Sequence, residues 1–188
     1  MTERKEWEAR HRGARDAALD APSAWILEQC RALPHRSLIL DLASGRGRHA
    51  VPLARAGHRV IALDYAWAAV ARARDESDGA VLPVVADAAA IPIGPGTLDA
   101  VVCVSFLDRA LLPRLRDLLR PQGRLIVETF TVEQRGHGGP QREAYLLRPG
   151  ELPRLVAPMP ILAQHEGLVR DDAGERYVAG VVAVNEGV

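Results

Sequence analysis

Ser37-Leu-Ile-Leu-Asp41-Leu-Ala-Ser-Gly45-Arg-Gly47-Arg-His49 decides how the rest of the chain is read. Its first six residues are apolar up to and around one acid, the pattern of a strand buried on both faces. Two glycines then allow a tight turn and close backbone approach to a ligand. A helical pattern follows over His49–Ala56, with Pro52 tolerated in its first turn and Gly57 as its stop. Strand, glycine turn and helix in that order form the opening unit of a parallel sheet.

Working outward, short apolar runs alternate with helical patterns. Arg59–Leu63 reads as a second strand closed by Asp64, Ala66–Arg74 as a helix, and Asp78-Gly79 as a turn. Val81–Ala86 and Leu98–Phe106 read as the third and fourth strands. Arg109–Leu119 has apolar residues at 111, 112, 115, 118 and 119, which predicts a helix. Pro121-Gln-Gly123 turns into a fifth strand over Arg124–Phe130. After a short helix near Glu151–Val156 come strand candidates Ile161–Gln164 and Tyr177–Val184. The piece between them, Gly167–Glu175, is too short for a crossover helix, so this pair is expected to form an antiparallel hairpin. The expected fold is α/β: one doubly wound, mainly parallel seven-stranded sheet ending in an antiparallel hairpin. It divides into an N-terminal helical segment (1–36), a cofactor-binding core (37–130), and a lid loop, short helix and hairpin (131–188).

Composition narrows the function. The 188 residues carry 24 basic and 24 acidic side chains, 48% hydrophobic and 26% charged residues. That balance gives no strong nucleic-acid signal. Cys30 and Cys103 are the only cysteines, too few for a disulfide framework or a metal site, so a reducing, cytoplasmic setting is expected and no metal. The charged N-terminus lacks the apolar core of a signal peptide, and no apolar run is long enough to span a bilayer. A soluble monomer or homodimer is expected.

Chemistry is sought where such sheets bind ligands, just past the carboxyl ends of the strands. Strand one ends in Asp41 and the Gly45/Gly47 turn. Strand two ends in Asp64, suited to accept both ribose hydroxyls. Strand three ends in Asp87-Ala88, placed to read an exocyclic amine and flank a flat ring. This describes a nucleoside site with no demand for phosphate. Gly45-x-Gly47-x-x-Ala50 also fits a dinucleotide fingerprint, which keeps an NAD(P)-binding oxidoreductase as an alternative. Asp41 weighs against it, because an acid there repels a pyrophosphate.

In this order the motifs resemble class I S-adenosylmethionine-dependent methyltransferases: Asp41-Leu-Ala-Ser-Gly-Arg-Gly47 is similar to their motif I, Asp64 to their ribose-binding acid, and Asp87 to their adenine-binding acid. Trp7-Glu-Ala-Arg10, Glu128-Thr-Phe-Thr131 and Tyr145-Leu-Leu-Arg-Pro-Gly-Glu-Leu152 resemble the tellurite-resistance-protein-like group within them. Ser44 stands where many of that group carry Cys or Gly, and Asp108 stands before Arg109 where His is expected. The resemblance implies a methyltransferase binding S-adenosylmethionine through Asp41, Ala43, Ser44, Gly45 and Gly47, then Asp64 and Tyr65, Asp87 and Ala88, and Ser105. The acceptor is expected to be a small molecule. Should it need to lose a proton, Asp108, Glu128 and His137 are the candidates, His137 lying in the long irregular loop Thr131–Arg148. A silent S-adenosylmethionine-binding module is the other alternative. Trp67 is read as lining the adenine or ribose or as packing on the sheet, Phe106 at the end of strand four as a core residue, and Cys103 as core.

Overall fold

The structure, a computed structural model, describes residues 8, 9, 11–13 and 18–187; Trp7 and Arg10 of the N-terminal segment lie outside them. Seven strands form one sheet: β1 (Leu38–Leu42), β2 (Arg59–Asp64), β3 (Val81–Val85), β4 (Leu98–Val104), β5 (Leu119–Phe130), β6 (Ile161–Asp171) and β7 (Gly174–Val184). Their spatial order is β3-β2-β1-β4-β5-β7-β6. Pairings from β3 through to β5 are parallel, while β7 runs antiparallel to both β5 and β6. This is the doubly wound sheet with its C-terminal hairpin.

The apolar runs are long because both faces are covered. One face, presenting Ile39, Val60, Val102, Ile126 and Val182, packs under α1 (Ala24–Arg31), α2 (Ala50–Arg55) and α3 (Trp67–Glu76). The other, presenting Leu40, Leu42, Cys103, Leu125 and Val127, packs under the turn bearing Leu112 and Leu115 and under α4 (Glu151–Val156). Cys103 is fully buried in that layer, where burial pushes its thiol well up, so it is a core residue. Phe106 packs against the same cluster. Trp67, by contrast, is exposed at the start of α3 and does not pack on the sheet.

Three boundaries differ from the sequence reading, each for a local reason. Arg109–Leu119 does not form an α-helix; only Leu112–Leu118 coils, as a 3-10 helix. Pro113 removes an amide donor at its start, and the apolar stripe is buried all the same. β5 begins at Leu119, so Pro121-Gln-Gly123 lies within the strand as an irregularity between the pairs Leu98/Leu119 and Ala100/Arg124. The hairpin is also longer: its strands pair up to Asp171 and Gly174, closed by Asp172-Ala173. Asp171 Oδ1 accepts from Ala173 N at 3.0 Å and so holds that turn.

Strand order reverses between β1 and β4, since β1 has β2 on one side and β4 on the other. The carboxyl ends of these two strands flank a crevice, and the Asp41–His49 segment lies there.

Candidate functional site

Asp41 is the penultimate residue of β1 and shares the helix-covered face with Ile39. It is 2% exposed. Its carboxyl accepts the Ala50 amide at the start of α2, but Oδ2 has no hydrogen-bond partner. Burial pushes this carboxyl up to about 7, opposed by the Ala50 amide and the Arg48 guanidinium. A buried carboxyl with an unused oxygen suits a cation arriving from the crevice.

The turn that follows is built by backbone bonds. Ser44 N donates to Leu63 O at 3.0 Å and Gly47 N to Ser44 O at 3.0 Å. Ala43, Gly45 and Gly47 all take positive φ. The two glycines are needed for different reasons. A Cβ on Gly47 would lie 2.5 Å from Ala73 Cβ, so its bare backbone lets α3 pack against the turn. A Cβ on Gly45 would meet nothing closer than His11 Cε1, at 3.6 Å. Gly45 therefore borders the crevice, and Gly47 is required to be glycine by packing.

Asp64 ends β2, half-buried beside this turn. Its Oδ2 accepts from Gly45 N at 2.9 Å and its Oδ1 from Ala66 N at 3.0 Å. Each oxygen keeps acceptor capacity for a hydroxyl. Asp87 is exposed beyond β3, where it accepts from Ala89 N at 2.8 Å. It also accepts from Tyr65, and these two bonds hold its carboxyl below the usual range. Tyr65 and Asp87 thus form one unit, with Ala88 in the short 3-10 turn that Asp87 caps. Ser105 takes φ 56 just past β4 and accepts from Arg48 Nη2 at 2.8 Å. Ser44, Gly45, Asp64 and Ser105 are thereby brought around the one crevice.

A cavity of 380 Å³ adjoins it, lined by Arg48, Phe130, Gln134, His137 and Arg176, with Asp20, Asp172 and Glu175 at its walls. Arg48 belongs to both spaces. Gln134 is buried and organises the loop: its Oε1 accepts from Tyr177 N at 2.7 Å, and its Nε2 donates to His137 O at 3.1 Å and Gly138 O at 3.2 Å. This leaves the His137 ring on the cavity, 5.1 Å from the Tyr177 ring.

Of the three proton-removal candidates, only His137 lines the cavity. Asp108 Oδ1 accepts from Ala110 N at 2.9 Å and Leu111 N at 3.0 Å, a capping role in the turn after β4. Glu128, 2% exposed, has its Oε1 3.9 Å from Arg176 Nη2 and its Oε2 3.3 Å from His165 Nε2. Neither Oε2 nor Nε2 makes a hydrogen bond, so that contact is a close approach without alignment. Glu128, Gly180 and His165 occupy one register across β5, β7 and β6. A Cβ on Gly180 would fall 2.3 Å from His165 Nε2, so the glycine lets the imidazole cross β7.

Sequence reasoning missed Arg48, Gln134, His165 and Arg176. Arg48 sits inside the glycine-turn motif and was legible by position. The other three meet the site only through strand pairing and loop closure.

Comparison with known proteins agrees with this fold. Residues 39–123 match the family model described as a methyltransferase domain. A demethylmenaquinone methyltransferase of Clavibacter sepedonicus is 35% identical over 101 residues, 50% of this chain and 41% of that protein. The chain thus spans less than half the length of that relative. Among solved structures, an S-adenosylmethionine-dependent methyltransferase from Aquifex aeolicus superposes with a TM-score of 0.68 at 18% identity, covering 98% of this chain and 100% of the other. A TehB-like methyltransferase from Corynebacterium glutamicum gives 0.67 at 17% identity, covering 97% of each chain. The fold is that of the S-adenosylmethionine-dependent methyltransferases superposed on it, TehB-like members included.

Proposed function

We propose that this chain is an S-adenosylmethionine-dependent methyltransferase acting on a compact, polar small molecule. The observation that carries it is the buried Asp41 carboxyl, whose unpartnered oxygen lies beside the Gly45 turn and one strand from Asp64. Asp41 would hold the α-ammonium, Asp64 the ribose hydroxyls, and Asp87 with Tyr65 and Ala88 the adenine. The same buried acid disfavours a pyrophosphate and so weighs against a dinucleotide.

When bound, the sulfonium supplies an already activated methyl group. The protein's part is then to position the reactants and keep water out. Arg48 lines the cavity and donates to Ser105 just past β4, so an acceptor in the cavity would approach the cofactor beside this pair. His137 is the side chain placed to take a proton from an alcohol or amine acceptor; an anionic acceptor needs none. The cavity's volume and charged lining suit a compact polar acceptor better than a prenylated quinone, the substrate class in the name of the Clavibacter relative.

The test is isothermal titration with S-adenosylhomocysteine, followed by S-adenosylhomocysteine production from S-adenosylmethionine across a panel of polar thiols, amines, hydroxy acids and chalcogen oxyanions. Micromolar binding and turnover of a panel member support the proposal. Binding without turnover of any acceptor would identify a silent cofactor-binding module instead.

A further inference from the structure

The two edges of the sheet are built differently. β3 forms one edge, and its pairing with β2 turns its odd-numbered residues outward, since Ala86 N donates inward to Asp64 O at 3.1 Å. Pro83 is one of these, so the outward row of donors is broken in the middle of a five-residue strand. That edge is closed to a further strand. β6 forms the other edge, runs for 11 residues and contains no proline. Among the described residues no strand pairs with its outer side, so a long row of amides and carbonyls is left open.

The groups that are open follow from β7. Tyr177, opposite Leu168, donates its N–H to Gln134 Oε1 at 2.7 Å, and its carbonyl accepts from Thr131 N at 3.1 Å, both away from β6. Leu168 is therefore not bonded to β7. By alternation, the amides and carbonyls of Glu166, Leu168 and Arg170 all face outward. Their side chains are exposed and share one face. Paired antiparallel with itself about Leu168, this edge is self-complementary. Leu168 meets Leu168 of the second copy on the two-fold axis, and Glu166 meets Arg170 of the second copy. Arg170 Nε already donates to Glu175 Oε2 of β7 at 2.7 Å, so the pairing extends an existing row of alternating charge. On the other face Val169 of the second copy falls opposite Gly167, where a Cβ would meet nothing within 4 Å and space is open.

We propose that β6 is a dimerisation edge: a second copy of this chain adds its own β6 antiparallel, centred on Leu168, and joins the two sheets into one. The proposal is independent of the cofactor reading. One strand pair is a small interface, so the dimer is sought by sedimentation velocity at about 100 µM chain. The unsubstituted protein should sediment at twice the chain's mass. Leu168→Lys sets two like charges opposite each other on the axis and should raise the dimer Kd about tenfold or more, with an unchanged far-ultraviolet dichroism spectrum. Leu168→Cys tests the register. Opposed residues in such a pair lie within disulfide reach, so this variant should form a covalent dimer under mild oxidation. Leu162→Cys, more exposed but far from the axis, should not, and the native Cys30 and Cys103 are buried and give no background. A monomeric unsubstituted protein, a dimer that persists in Leu168→Lys, or cross-linking of Leu162→Cys in place of Leu168→Cys overturns the proposal.

Discussion

Asp41, as the proposed holder of the ammonium, would link stability to ligand binding. Its carboxyl is pushed up to about 7 by burial, whereas in an unfolded chain an Asp titrates near 3.9. As pH falls through this window the folded state takes up a proton before the unfolded state does. The ligand-free protein is therefore stabilised by acid from about pH 7 down to about pH 4, and destabilised as pH rises. His49 acts in the opposite sense: burial pushes it down to about 3, and its Nε2 accepts from Ser23 N at 3.1 Å. The informative quantity is consequently the difference between the unsubstituted protein and Asp41→Asn. In chemical denaturation the substitution should remove the acid-stabilising slope and leave the His49 slope. Binding runs the other way, because a cationic ammonium requires the ionised carboxylate. The Kd for S-adenosylhomocysteine should rise by up to about tenfold per pH unit below pH 7, a slope absent in Asp41→Asn. A pH-independent Kd would detach Asp41 from the ammonium.

At the scale of elements, the glycine turn does two jobs that the motif alone does not separate. Gly47 admits α3, and Gly45 borders the crevice. Gly47→Ala combines overpacking against Ala73 with a left-handed alanine at φ 86. It should cost about 2 kcal/mol or more, lowering Tm by roughly 4–8 °C for a chain this size. Gly45→Ala should lower Tm less and weaken S-adenosylhomocysteine more. Equal melting temperatures for the two variants would contradict this division. β1, β2 and β4 were legible because their apolar runs are continuous and end in Asp41, Asp64 and Ser105, and the hairpin followed from the short link before β7. Its length was not, because residues 164–176 are polar and alternate weakly. The turn at Arg109–Leu119 was misread because Pro113 outweighs a good helical stripe. Asp41 and Asp64 could be found as strand-end acids, whereas His165 reaches Glu128 only across a strand in register, through Gly180.

Over the whole molecule, the topology gathers the crevice and the cavity at one end of the sheet, and β7 closes the side that a sixth parallel strand would otherwise occupy. Asp171 at the hairpin tip ties this end together. It holds Arg176 through two bonds, at 2.7 and 3.1 Å, and accepts from Ala24 N, at the start of α1, at 3.3 Å. Both pairings keep its carboxyl below the usual range. Asp171→Ala should free Arg176 and the N-terminal end of α1 together, raising acceptor KM with little change in the Kd for S-adenosylhomocysteine. A variant that lost cofactor affinity instead would place Arg176 in the cofactor site.

The central claim is that the crevice after β1 and β2 binds an adenosyl-sulfur ligand through Asp64. It is tested most directly by thermal unfolding of the protein and of Asp64→Ala, each with S-adenosylhomocysteine, NAD or no ligand. At about 100 times its Kd a ligand bound only to the folded state adds roughly 2.7 kcal/mol, several degrees in Tm. The account predicts that shift for S-adenosylhomocysteine alone, and its loss in Asp64→Ala. Stabilisation by NAD but not by S-adenosylhomocysteine, or a shift that survives in Asp64→Ala, would contradict it.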